Sequence, residues 1–397
     1  MKKPSLRGLK YYAAKRLGLH SYFHDCGDGR QQPRIAAHDL LWAILAGHSL
    51  RQTSFHAIEA LVHSSSCREF GVLHRFGDDT LSYFTERLAP EPTRMALVGM
   101  LRRAKRNKAF DAVARIGLAI DGTTVGRCSA QGCANCRPYR NSAGEIAGYR
   151  HHLAMISVVG TGLSLPFDVE PYGPKDSEYA AGQRLLKRTI PALGARFADY
   201  LVVDAGFATS TFLHAADEAG IPVVARLKGN LHELMVSVER CFGTSPPDRV
   251  LQDGKDRVEL WDDDRFDPWE TLQWDTVRVV RYRQTKPDGT VVRADWLTNL
   301  TPRQANSLAI YKMAKSRWEI ENEGFNDCKS RQGFEHICHH HANSLLIGWL
   351  LTLVALVVLR LYRLRYLHRG THPVLSAIDL VRSFWLSLGQ KRAIDTG

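Results

Sequence analysis

From residue 116 the apolar residues of this 397-residue chain leave helical spacing for short strand-like runs, and that switch constrains the fold more than any other feature. Residues 116–120 read as a strand ending at Asp121-Gly122. Residues 152–159 and 163–170 read as two more, joined through the turn Gly160-Thr-Gly162. Residues 176–190 have an acidic start and a basic end and read as a helix. A short apolar strand at 200–203 ends at Asp204, a helix over 209–218 closes at Gly220, and a further strand covers 221–227. The order is β-β-β-α-β-α-β. Three consecutive strands form an antiparallel meander, and the later units add parallel strands through right-handed crossovers. With the fourth strand beside the first, Asp121 and Asp204 both stand at carboxyl ends of parallel neighbours about 4.8 Å apart. Two carboxylates so placed can bridge a divalent cation.

The flanks differ. Residues 1–110 read as several short helices, among them an apolar stripe over 36–46 that ends at Gly47. The basic run at 102–108 is either a solvated helix face or a phosphate-contacting one; short helices with basic ends suit a DNA-binding module. Residues 229–299 alternate apolar and polar, with a hairpin turn at Lys286-Pro-Asp-Gly289, and read as a β-rich insertion. Helix resumes near Pro302 and continues through Lys329. The apolar run at 345–359 is short for a membrane span and is followed by Arg360, Arg363 and Arg365, so it is expected to be a buried core helix. The expected divisions are a helical DNA-binding domain (1–110), the first part of a catalytic core (111–228), the insertion (229–299), closing helices (300–370) and a tail (371–397).

Charge supports this division. The chain carries 53 Lys+Arg and 41 Asp+Glu, a net charge of +12. Residues 1–110 hold 18 basic and 9 acidic side chains and residues 345–397 hold 7 and 2, whereas the insertion holds 10 and 14. Basic ends favour a polyanionic partner. No secretory signal is visible, and eight cysteines in that setting suggest reduced thiols or metal ligands over a disulfide scaffold.

An Asp that ends a strand is common. A third carboxylate changes its meaning: Glu321 lies on a late helix, one turn after Arg317. Three carboxylates can hold two Mg²⁺ about 3.5–4 Å apart, which activate an attacking oxygen and stabilise a leaving one at phosphorus. Glu319 and Glu323 are rivals, but each lies about 200° round the helix from Glu321.

The motifs Ile120-Asp-Gly-Thr-Thr124, Val203-Asp-Ala-Gly-Phe207, Leu297-Thr-Asn-Leu-Thr301 and Arg317-Trp-Glu-Ile-Glu-Asn-Glu-Gly-Phe325 together resemble those of the Asp-Asp-Glu (DDE) transposases of bacterial insertion sequences, in the branch with a β-strand insertion before the catalytic Glu. The resemblance spans about residues 110–370. It implies an α/β, ribonuclease H-like mixed sheet with helices on both faces, and Asp121, Asp204 and Glu321 as catalytic ligands of Mg²⁺ or Mn²⁺. It implies double-stranded DNA as partner, as transposon terminal inverted repeats and as target, with a homodimer on DNA, no membrane and a cytoplasmic, nucleoid-associated location. Water would be activated first, to free a 3′-hydroxyl, and that hydroxyl would then attack target DNA. Arg317 and Lys329 are the implied DNA contacts. The family often has Tyr three residues before the Arg, where this chain has Ala314, and Lys seven residues after the Glu, where it has Cys328. Relatives hold an extruded base on an aromatic of the insertion, for which Trp261, Trp269, Trp274 and Trp296 are available. A nuclease that cuts without joining, or an inactive DNA-binding descendant, are the competing readings.

A second constellation is Cys128 with Cys133-Ala-Asn-Cys136 in the loop after the first strand. One Cys-x-x-Cys is half of a zinc knuckle, which His151 or His152 could complete; we assign His152, against the alternative of unpaired thiols. Cys338 with His336, His339, His340 and His341 forms a third cluster, read as solvated or phosphate-contacting.

Overall fold

A computed structural model describes residues 4–64, 74–367 and 376–389. The amino-terminal region is helical, as expected: α1 Leu6–Tyr11, α2 Leu19–Asp25, α3 Ala37–Ser49, α4 Phe55–His63, α5 Asp78–Arg87 and α6 Pro90–Arg106. The α/β part begins with β1 Gly117–Cys128, β2 Arg137–Arg140, β3 Ile146–Val159 and β4 Leu165–Tyr172. It continues through α7 Glu178–Leu193, β5 Tyr200–Val203, α8 Ser210–Glu218 and β6 Val223–Leu227.

β1 pairs antiparallel with β3, β3 with β4, and β1 runs parallel to β5, itself parallel to β6. An antiparallel meander extended by two parallel strands, flanked by helices, is the ribonuclease H-like arrangement. β5, the strand expected fourth from the sequence, is beside β1, in the register Gly117↔Tyr200 to Ile120↔Val203. One boundary differs from expectation. β1 does not end at Asp121 but runs seven residues further, because β3 starts at Ile146 and offers a partner along its whole length. β2, within the cysteine loop, pairs with the start of β3.

After α9 His232–Thr244 come β7 Arg249–Asp253, β8 Asp256–Phe266, β9 Val277–Thr285 and β10 Val291–Thr298. These strands extend the same sheet, because β10 pairs antiparallel with β6, giving the path β2-β3-β1-β5-β6-β10-β9-β8-β7. Alternation marks strands but does not choose their neighbours. Trp261 and Trp296 are buried; Trp269 and Trp274 are half-buried and donate to Ser210 Oγ and Asp217 Oδ2, each at 2.7 Å.

The chain closes with α10 Ser307–Glu319, a π-helical turn Ile320–Phe325, α11 Asn326–Arg331, α12 Ala342–Leu367 and α13 Ala377–Gly389. α12 is long and apolar enough to cross a membrane, yet 89% of its most apolar window is buried, against α3, α5, α6 and β4. It is the expected core helix. Arg94 on α6 adds a polar tie, donating to Asp168 Oδ1 of β4 at 3.0 Å.

β1, β5 and α10 meet at Gly117. A methyl group there would sit 2.3 Å from the Tyr200 ring, whose hydroxyl is 2.8 Å from Ser316 Oγ. The lack of a side chain at 117 is what makes room for that ring. Gly117→Ala is therefore expected to cost about 1–3 kcal/mol by overpacking, as measured by chemical denaturation.

Candidate active site

Asp121 follows the last paired residue of the β1–β5 register, and Asp204 follows its partner on β5. Asp204 also starts a single 3-10 turn over Ala205–Phe207. Glu321 lies in the π turn between α10 and α11. Such turns admit one more residue than an α turn and recur at functional sites.

Arg317 joins two of the three carboxylates. Its Nη1 donates to Asp121 Oδ2 at 3.0 Å and to Glu321 Oε1 at 2.7 Å. Its side chain is only 8% exposed, so it sits between the carboxylates rather than on the surface. Lys228, just past β6, faces Asp204 at 3.3 Å. The rival glutamates are elsewhere. Glu319 accepts from Gly160 N at 2.9 Å and Glu323 from Ser164 N at 3.2 Å, so both hold the β3–β4 connection. The helical phase that separates them from Glu321 in sequence separates them in space.

A fourth carboxylate escaped the sequence reading. Glu178, the first residue of α7, lies against the open face of Gly122, where an added methyl would meet its carboxyl at 2.3 Å. It accepts from the Tyr172 hydroxyl at 3.3 Å. An acidic first helical residue looks like a helix-dipole partner, and only the crossover from β4 reveals its neighbours. The electrostatics record the crowding. Burial pushes the Asp121 carboxyl up to about 7, with Arg317 opposing and Glu321 and Glu178 adding to the rise. Burial, then Asp204, also raises Glu178. Burial and the neighbouring carboxylates thus disfavour the charged forms of Asp121 and Glu178.

Lys329 is on α11, its ammonium 3.8 Å from Glu335 and its pKa lowered by burial. The π turn offsets the eight-residue spacing from Glu321 and returns Lys329 toward the phase that seven residues give in an α-helix. Cys328 is fully buried. Arg360, expected on a basic DNA-facing end, is instead buried and donates to Asp327 Oδ2 at 2.8 Å and to the Glu323 carbonyl at 2.7 Å. That pairing spends its charge inside the protein; Arg369 is outside the described residues.

The cysteine loop forms a separate cluster. Cys133 Sγ and Cys136 Sγ lie 3.3 and 3.4 Å from His151 Nε2, and Cys128 joins Cys136 and His151 in one group. The fourth member is thus His151 and not His152. Successive strand residues face opposite ways, and His152 packs its ring against Tyr172 with centroids 5.6 Å apart. The third cluster does not converge: His339 pairs with Glu86 at 2.6 Å and Cys338 reaches the Thr53 carbonyl at 3.6 Å.

Aspartates that each follow the last paired residue of two parallel strands, and a late glutamate tied to one of them through Arg317, on a ribonuclease H-like sheet, match what is expected of an enzyme of the DDE class acting on DNA. The chain belongs to the transposase DDE domain family, whose model matches residues 114–358. Among solved structures, the chain is similar to the piggyBac transposase in a synaptic complex with hairpin DNA, at 12% identity and a TM-score of 0.44, covering 98% of this chain and 81% of that one. A search of curated proteins gave no match.

Proposed function

We propose that this transposase cuts transposon-end DNA and joins the freed 3′-hydroxyls to target DNA by two-metal phosphoryl transfer, acting as a homodimer on terminal inverted repeats. The observation that carries this reading is Arg317 bonded to both Asp121 and Glu321, with Asp204 at the matching position of the neighbouring parallel strand. The carboxylates fit Mg²⁺ or Mn²⁺, which, when bound, supplies the charge that activates the attacking oxygen and stabilises the leaving one. Asp121 would hold it from within β1, Asp204 from the end of β5, and Glu321 from the π turn. Glu178 raises the charge density beside Asp121 and so strengthens the demand for a cation. Arg317, released from its carboxylates, is placed to meet a phosphate, and Lys228 beside Asp204 is a second cation for it. No protein nucleophile is required.

The test combines pre-cut transposon ends, a plasmid target and Mg²⁺. Joined products are the expected result. Nicking alone would indicate a nuclease, and a gel shift without either reaction would indicate an inactive binding protein; both contradict the proposal.

End binding is also expected to fall steeply with salt. Lys15, Arg16, Arg102, Arg106 and Lys108 are exposed on the amino-terminal helices and their ends. Five phosphate contacts correspond to a slope of about −4.5 in a log–log plot of affinity against salt. A nearly flat plot would remove this region from the DNA interface.

A further inference from the structure

The geometry assigns a structural zinc site to Cys128, Cys133, Cys136 and His151, separate from the catalytic carboxylates. The four come from three places. Cys128 is the last residue of β1, Cys133 and Cys136 flank a tight turn closed by Cys136 N on the Cys133 carbonyl, and His151 is on β3, paired with Val125. A bulge at Gly126, in left-handed conformation at φ +62°, shifts the register between Val125 and Arg127 and sets how Cys128 meets the loop.

Distances favour a shared metal. Cys133 and Cys136 sulfurs are 3.8 Å apart, far beyond a disulfide bond of about 2.05 Å. Two thiolates on one tetrahedral zinc, with bonds of about 2.3 Å, lie about 3.8 Å apart; a thiolate and an imidazole nitrogen lie about 3.6 Å apart. The observed nitrogen–sulfur separations are 3.3 and 3.4 Å. Cys128, Cys136 and His151 present donor atoms within 4.8 Å of one another. Cys₃His is a complete set for a closed structural site.

Burial points the same way. His151 is fully buried and Cys136 is 1% exposed. Among the described residues, Nδ1 of His151 has no hydrogen-bond partner, and the hydrogen-bond partners of Nε2 are sulfur atoms. A buried imidazole without an oxygen or nitrogen partner costs free energy unless its ring nitrogen binds something better than a thiol. The loop between β1 and β3 is polar and glycine-containing and has few apolar side chains to hold it. Zinc would supply that restraint, as metal binding in such small units is coupled to folding.

The site also has a position. Gly126 N donates to Glu335 Oε2 at 2.9 Å, His340 packs beside Gly132, and Trp349 meets the His151 ring edge-on at 5.7 Å. These residues belong to the stretch from α11 into α12, directly after the helix that carries Glu321. Zinc would therefore brace the joint between the Asp121 strand and the Glu321 helix.

The test is elemental analysis of full-length protein purified under reducing conditions without chelator. About one zinc per chain is expected. Cys133→Ser and Cys136→Ser should lose it and lower the melting temperature, His151→Cys should keep it, and His152→Ala should leave it unchanged. Should the serine variants fail to fold, cobalt exchanged into the wild-type protein gives an independent reading: intense visible bands of a tetrahedral thiolate site are expected. Substoichiometric zinc with free thiols, a Cys133–Cys136 disulfide, or zinc retained by both serine variants would each overturn the assignment.

Discussion

Asp121→Ala, Asp204→Ala and Glu321→Ala are each expected to lower Mg²⁺-dependent cleavage and joining by at least about 10³-fold, the scale set by losing several kcal/mol of transition-state charge stabilisation. Binding to transposon ends should stay near the wild-type level, because removing a carboxylate removes no phosphate contact. Labelled-end cleavage and mobility-shift assays separate the two effects. Asp121→Ala and Glu321→Ala each remove one partner of Arg317, which keeps the other at 3.0 or 2.7 Å, so neither leaves the guanidinium alone. Glu319→Ala serves as the control. Its carboxylate holds Gly160 N, so it should affect stability more than chemistry. Substantial cleavage by any one of the three alanine variants would remove that residue from the site.

The second large effect concerns pH and stability without divalent metal. Asp121 is raised to about 7 in the folded protein, above its ordinary value of 3.8. A carboxyl raised on folding favours the native state while protonated, and that contribution is lost as the pH rises from about 4 through 7. The metal-free protein should lose stability across this window, by up to about 4 kcal/mol from this group. Asp121→Asn keeps the shape without the charge and should be the more stable protein at pH 8, with the advantage vanishing near pH 4. Mg²⁺ should reverse the order at pH 8 by stabilising the wild type alone. Melting curves at the two pH values, with Mg²⁺ and with chelator, measure this. A lower melting temperature for Asp121→Asn at pH 8 in chelator would show that the carboxylate is not strained there.

Much of this site is legible in the residues. Asp204 was readable because it ends a short strand, and Asp121 because crossover handedness puts β5 beside β1; β1 itself continues past Asp121, and only its parallel pairing with β5 stops at Ile120. Glu321 was separable from its neighbours because helical phase is arithmetic. What stayed hidden depends on partners distant in sequence. The extension of β1 to Cys128 requires β3 beside it, and β7–β10 require β6 to accept β10. The choice between His151 and His152 turns on which face of β3 meets the cysteine loop, and alternation gives two faces without saying which is which. Glu178 was invisible for a related reason: nothing near it in sequence shows that α7 begins beside Gly122. Arg360 shows the opposite error, since a basic residue after an apolar run looks solvent-facing until Asp327 is found against it.

The most direct measurement is anomalous scattering from crystals of the protein with pre-cut end DNA and Mn²⁺. Peaks bounded by Asp121, Asp204 and Glu321, with Arg317 displaced from at least one carboxylate, are the expected result. Manganese bound at Glu319 or Glu323, or none among the three carboxylates at saturating concentration, would contradict the account.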